Sequence, residues 1–177
     1  MSASSKKHKA LLFVACGFGA IILLWILLYL IGFRVYRVPT ASMEPTITAD
    51  GYSFAKLEKN YSAKVKRNEV VVSRFQSERN LSSRHSFKMK GQTYTMRVVG
   101  LPGDKIRVSK EGVFVNDQEI VTPNGPTSSA APVHKLDTTI PESSYFMIGD
   151  NAPVSFDSRY FGFVQAEEIM GRILFVE

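Results

Sequence analysis

Cysteine is almost missing from this 177-residue chain: Cys16 is the only one. That count excludes a disulfide framework and any cysteine-rich zinc module. Histidine is nearly as scarce, with three residues and no close pairing, which argues against a histidine-based metal site. No acidic residue occurs before Glu44. No internal repeat is present. Strong charge is lacking as well, with 22 basic residues against 16 acidic ones and a net +6. With 45% of residues hydrophobic, that balance excludes wholesale disorder. The length corresponds to about one domain.

What is present is divided sharply between the two ends. Residues 10–33 carry no charge and consist mainly of Leu, Ile, Phe, Val, Ala and Gly. A helix of that length reaches ~36 Å, enough to cross a ~30 Å hydrocarbon core with some tilt. A cleaved signal peptide has a shorter apolar core and a small-x-small site after it. Here Arg34-Val35-Tyr36 follows instead. The apolar run also continues well past Cys16, so Cys16 reads as a small packing or lipid-facing residue. An uncleaved transmembrane anchor over 10–33 is therefore expected. Lys6, Lys7 and Lys9 outweigh Arg34 and Arg37 across it, which places residues 1–9 in the cytoplasm and 34–177 outside. From residue 34 onward, 19 basic side chains face 16 acidic ones. That excess is too mild for a nucleic-acid binder. The basic residues between Lys56 and Lys90 read as a solvated face, with anionic lipid headgroups as the alternative.

Beyond the anchor, short β-branched and aromatic runs alternate with turn signals. Strands are predicted over 69–75, 94–99 and 172–176. A small meander is predicted from 105–108 through 112–115 to 118–120, with turns at Lys110-Glu111 and Asn116-Asp117. No sustained 3.6-residue apolar period appears there. Only Glu167 to Met170 suggests a single helical turn. Gln76–Arg84 and the proline-containing stretch Thr122–Glu142 read as loops or insertions. The fold class is mostly β.

Three segments carry residues suited to chemistry. The first is Val38-Pro39-Thr40-Ala41-Ser42-Met43-Glu44-Pro45-Thr46, close behind the anchor. A serine between prolines is commonly a turn feature. As a nucleophile it needs a base and an oxyanion site. The second is Arg97-Val98-Val99-Gly100-Leu101-Pro102-Gly103-Asp104, a strand running into a turn. The third runs from Ile148-Gly149-Asp150-Asn151 to Ser155, Asp157, Ser158, Arg159 and Gly162. On structural grounds Gly-Asp-Asn is a turn, and Asp157 with Arg159 is an ion pair bracing a loop.

In this order behind an anchor, the three segments resemble type I signal peptidases, from Arg34 to Glu177. The resemblance implies a twisted antiparallel β-sheet peptidase domain with a small inserted subdomain over about 108–144, tethered by one N-terminal transmembrane helix. It implies Ser42 as nucleophile and Thr40 as the hydroxyl completing an oxyanion hole with the Ser42 N–H. Ser155 would orient the base, and Arg97, Asp157 and Arg159 would support the site. The implied partners are the lipid bilayer and secretory preproteins, cleaved after small residues (Ala-x-Ala) at a bacterial inner membrane. Neither a metal nor a cofactor is called for.

At one position the chain departs from the family. Where the family has its general-base lysine, and endoplasmic-reticulum relatives a histidine, this chain has Met96. A thioether cannot take the serine proton, although it is long and apolar enough to fill the lysine's slot. Arg97 stays protonated and cannot serve. Lys88, Lys90 and His85 lie upstream as candidate substitutes. Three readings stand: a signal peptide-cleaving serine endopeptidase, a non-cleaving homologue that binds signal-peptide ends, and a specialised peptidase with one dedicated substrate.

Overall fold

The computed structural model describes residues 3–76, 91–129 and 135–176. His85, Lys88 and Lys90 lie outside them, as does all of the expected Gln76–Arg84 loop except Gln76.

The apolar N-terminal run forms α1 (Ala3–Leu30). Leu, Ile and Ala dominate it, no proline interrupts it, and its apolar side chains from Leu11 on are exposed except for the half-buried Leu28. Leu11–Leu30 is long and apolar enough to cross a membrane. The helix ends at Leu30 rather than at Phe33, because Gly32 adopts φ +97°, a left-handed conformation that stops a helix. The Arg34 guanidinium lies 3.5 Å from the Tyr29 ring centroid and donates to the Tyr29 carbonyl at 2.7 Å.

The remainder is built on strands: β1 (Phe33–Arg37), β2 (Tyr52–Leu57), β3 (Val70–Arg74), β4 (Thr93–Gly100), β5 (Lys105–Ser109), β6 (Gly112–Val115) and β7 (Gln118–Glu119). They are followed by β8 (Val121–Thr122), β9 (Gly125–Pro126), β10 (Leu136–Thr139), β11 (Ser144–Ile148), the single turn α2 (Ser158–Phe161), β12 (Val164–Gln165) and β13 (Ile169–Val176). Seven strands form one sheet in the order β1-β2-β13-β3-β4-β11-β12. A four-stranded sheet, β10-β5-β6-β7, and the β8–β9 ribbon complete the fold. The strands from β2 to β12 pair antiparallel, as expected for a mostly β, antiparallel domain.

Two buried clusters hold the strands together. Met96, Val98, Tyr145 and Met147 share one with Val71, Phe75, Phe161 and Ile169. Val99, Phe146 and Ile148 share the other with Ile106, Val108, Val113 and Val115 of the small sheet. Side chains alternate between the faces of a strand, so β11 feeds both clusters and is buried along its whole length. The second motif sits on β4 and the third leaves the end of β11, so this doubly packed centre positions the site.

The predicted meander is β5-β6-β7, turning at Asn116-Asp117, both at positive φ (51° and 62°) as a two-residue hairpin turn requires. Two expectations are corrected. The stretch read as a loop over 122–142 contributes β9, β10 and part of β8, and Leu136–Thr139 pairs with β5 in register. The turn expected over 167–170 is a 3-10 turn at Ala166–Glu168, and Ile169 and Met170 already belong to β13. There the buried Glu168 carboxylate accepts the Gln165 N–H at 2.9 Å, closing the turn early.

Candidate active site

Ser42 lies on a short 3-10 turn, Ala41–Met43. The neighbouring Met43 and Ile47 are fully buried with Val38 against Val70, which fixes the backbone on either side. Ser42 itself stays accessible. Its Oγ is 3.0 Å from Thr40 Oγ1, within hydrogen-bond distance.

The third motif clasps this turn. Asn151 donates its backbone N–H to the Ser42 carbonyl at 3.0 Å and its side-chain amide to the Ala41 carbonyl at 3.0 Å. Asn124, between β8 and β9, in turn donates to Asn151 Oδ1 at 2.7 Å. Gly149 is required by close approach. A Cβ there would lie 2.2 Å from Ser155 Oγ and 2.5 Å from the Ser42 carbonyl oxygen.

A second polar web joins all three motifs. Arg97 Nε and Nη2 donate to the two oxygens of Asp150 at 2.7 and 2.6 Å, and Nη1 donates to the Asn68 carbonyl at 2.6 Å. Thr46, from the first motif, donates to the same Asp150 carboxylate. Asp150 is fully buried, so this fork replaces the water it has lost. Behind it, Arg159 and Asp157 form a second buried pair, with Nε and Nη2 each 2.8 Å from a carboxylate oxygen. Asp157 also accepts the Gly149 N–H at 3.1 Å and caps α2 through the Arg159 N–H. The expected ion pair bracing a loop is therefore present.

Ser42, Thr40, Met96 and Ser155 line one cleft of about 280 Å³, together with Tyr94 and Phe156 among others. Met96 is 3% exposed and belongs to the apolar core. Neither lysine nor histidine lines this cleft among the described residues. Arg37 does, but it pairs with Asp50 at 2.9 Å and has no lone pair to offer. Burial pushes the Tyr94 phenol upward, so it is neutral at ordinary pH. The cleft thus holds a serine with a hydroxyl beside it and, in the same lining, the buried Met96. Arg97, Asp157 and Arg159 lie outside the cleft lining; Asp157 holds Gly149, which packs against Ser155 and the Ser42 carbonyl.

Reading by sequence placed Thr46, Asp150 and Asn151 inside the motifs without a role at the site, and missed Asn124. One signal did point to Asp150. An acid at the end of the wholly apolar run Phe146-Met147-Ile148 needs a cationic partner once that run is buried. No comparable signal marks Asn124.

The chain belongs to the signal peptidase family, peptidase S26, whose family model matches residues 10–176. A probable signal peptidase I-2 of Synechocystis sp. is 31% identical over 142 residues, covering 76% of this chain and 58% of that protein. The chain thus spans under two thirds of that relative's length. Signal peptidase I P of Bacillus subtilis subsp. natto is 27% identical over 153 residues, covering 81% of this chain and 76% of that protein. A crystal structure of a signal peptidase I from Enterococcus faecalis V583 matches with a TM-score of 0.43 at 25% identity, covering 61% of this chain and 95% of that one.

Proposed function

We propose that this chain is a membrane-anchored protein of the signal peptidase I type that receives the signal-peptide ends of secretory preproteins. Residues 1–9 are cytoplasmic and the β domain lies outside a bacterial inner membrane. The positive charge of Lys6, Lys7 and Lys9 before the apolar helix supports that orientation. Small residues at positions −1 and −3 of the substrate (Ala-x-Ala) enter the cleft. Ser42 stands in the nucleophile's place, Thr40 beside the oxyanion, and Ser155 where the base is oriented. Met96 occupies the place of the general-base lysine.

The observation that carries this reading is the 3.0 Å Thr40–Ser42 pair in the same cleft as a buried thioether. For acyl transfer, Ser42 Oγ must bond to the scissile carbonyl carbon while its proton leaves to an acceptor. Losing general-base help costs ~10²–10⁴-fold. It costs up to ~10⁶-fold where nucleophile and base act as a unit. Binding needs no such acceptor. The chain as it stands therefore holds signal-peptide ends and cleaves them slowly or not at all.

The intact Thr40–Ser42 pair also favours a second reading, in which the chain is a cleaving enzyme and Lys88, Lys90 or His85 supplies the base. Both readings require recognition of the substrate end. The test is photocrosslinking of a preprotein carrying its probe next to an Ala-x-Ala site, with the full chain in liposomes. Crosslinks should map to the Ser42 cleft and vanish when both alanines become tryptophan. Crosslinking indifferent to those alanines would overturn the proposal.

A further inference from the structure

A second cavity, of about 610 Å³, opens beside β2 and β13 and shares no lining residue with the Ser42 cleft. Lys56, Lys64, Lys66 and Arg172 line it, against the two carboxylates of Glu58 and Glu69.

The strand register makes this cluster unusual. Lys56 on β2 stands directly opposite Arg172 on β13. Like charges directly opposite on paired strands repel and destabilise the pair. The nearby acids offset them only in part, because the four cations of the lining, Lys56, Lys64, Lys66 and Arg172, outnumber its two carboxylates. Glu58 is bonded to Lys64, which with the weaker pull of Lys56 and Arg172 holds its carboxyl below the ordinary value. Glu69 accepts the Tyr61 hydroxyl at 2.6 Å and the Lys66 backbone N–H at 3.1 Å. Arg172 Nη1 stays 3.8 Å from Glu69, beyond hydrogen-bond reach. Among the described residues, neither the Lys56 nor the Lys66 ammonium has a carboxylate within 4.0 Å. Arg172 is half-exposed, so the part of its donor fork that does not meet the Tyr61 hydroxyl is open to a solute.

A merely solvated face spreads like charges apart, whereas here two are fixed in cross-strand register and share a cavity. We propose that this cavity binds a phosphate-type oxyanion. Arg172 is its forked donor, and Lys56 and Lys66 are point charges beside it. Guanidinium geometry suits two phosphate oxygens at once, and ammonium groups add charge without imposing direction. An anion seated there converts the Lys56–Arg172 repulsion into two attractions. The inference does not depend on whether Ser42 is catalytic.

The experiment uses the full chain in nonionic detergent at constant ionic strength, following thermal unfolding. One arm titrates inorganic phosphate. The other exchanges phosphatidylcholine for phosphatidylglycerol in the mixed micelle. The midpoint should rise in at least one arm, and the double variant Lys56→Gln/Arg172→Gln should need at least tenfold more anion for half the rise. A rise with phosphatidylglycerol alone assigns the site to a lipid headgroup. A rise with inorganic phosphate assigns it to a free anion. No rise in either arm, or one that the double variant leaves unchanged, overturns the proposal. Without anion, Lys56→Gln alone should leave the midpoint equal or higher. A fall would mean that the paired cations are not in conflict, and would also overturn it.

Discussion

The backbone N–H of Asn151 donates to the carbonyl of Ser42 at 3.0 Å, so the third motif holds the first by the very residue proposed as nucleophile. The Asn151 side chain repeats the grip one residue earlier, at Ala41. Asn124 fixes that side chain from the β8–β9 turn. The ribbon inserted between the second and third motifs thereby acts on the nucleophile segment through one hydrogen-bonded relay.

Cutting that relay should cost stability in proportion to the bonds lost. Asn124→Ala removes one neutral bond, worth about 0.5–1.5 kcal/mol, and Asn151→Ala should cost more because it strands the Ala41 carbonyl as well. The double variant should fall short of the sum, since the two side chains share a bond. Urea unfolding of the four chains in detergent measures this. Strict additivity would show that the relay carries no coupling.

The Arg97–Asp150 fork makes a harsher prediction. Arg97→Met leaves a fully buried carboxylate with only Thr46 to donate to it from a side chain, and breaking a buried pair in this way costs about 3–5 kcal/mol. Adding Asp150→Asn to the same chain should restore part of the loss by removing the stranded charge. Arg97→Lys should also destabilise, because an ammonium cannot reproduce the two-bond fork. Denaturant unfolding checks all three, and an unchanged Arg97→Met would contradict the geometry.

Asp104 gives the acid limb of stability. Its burial raises the carboxyl pKa. The Leu101 N–H, Asn116 and Arg67, at 2.6, 2.8 and 2.7 Å, outweigh that and hold it below the ordinary 3.8. A carboxylate lowered in the folded state adds stability above its ordinary value, and that stability is lost as pH falls through the folded value. Stability should therefore decline below about pH 4, and Asp104→Asn should flatten part of that decline while costing about 1–3 kcal/mol at neutral pH. Unfolding midpoints between pH 7 and 3 provide the measurement. Parallel curves for the two chains would contradict it.

Much of the β architecture could be read from local pattern. Val70–Arg74 and the β5-β6-β7 meander announce themselves by β-branched runs and by the turn at Asn116-Asp117. Ser144–Ile148 did not, because a strand buried on both faces loses the polar half of its alternation. Leu136–Thr139 was hidden among prolines, since its strand character comes from pairing with β5 rather than from propensity. At the site, Ser42, Thr40, Ser155 and Met96 were legible as motif positions, and the structure brings them to one cleft. The Asn124–Asn151 bond joins two polar turns 27 positions apart, and nothing in their composition marks the encounter.

The central claim is that Met96 leaves Ser42 without its base. The direct measurement is the initial rate of cleavage of an Ala-x-Ala preprotein in liposomes by the unaltered chain, Met96→Lys, and Met96→Lys with Ser42→Ala. The expected result is a rise of at least ~10²-fold on introducing the lysine, abolished by removing Ser42. Equal cleavage by the unaltered chain and by Met96→Lys, stopped in both by Ser42→Ala, would contradict the claim and place the base elsewhere, with Lys88 and Lys90 the first residues to replace.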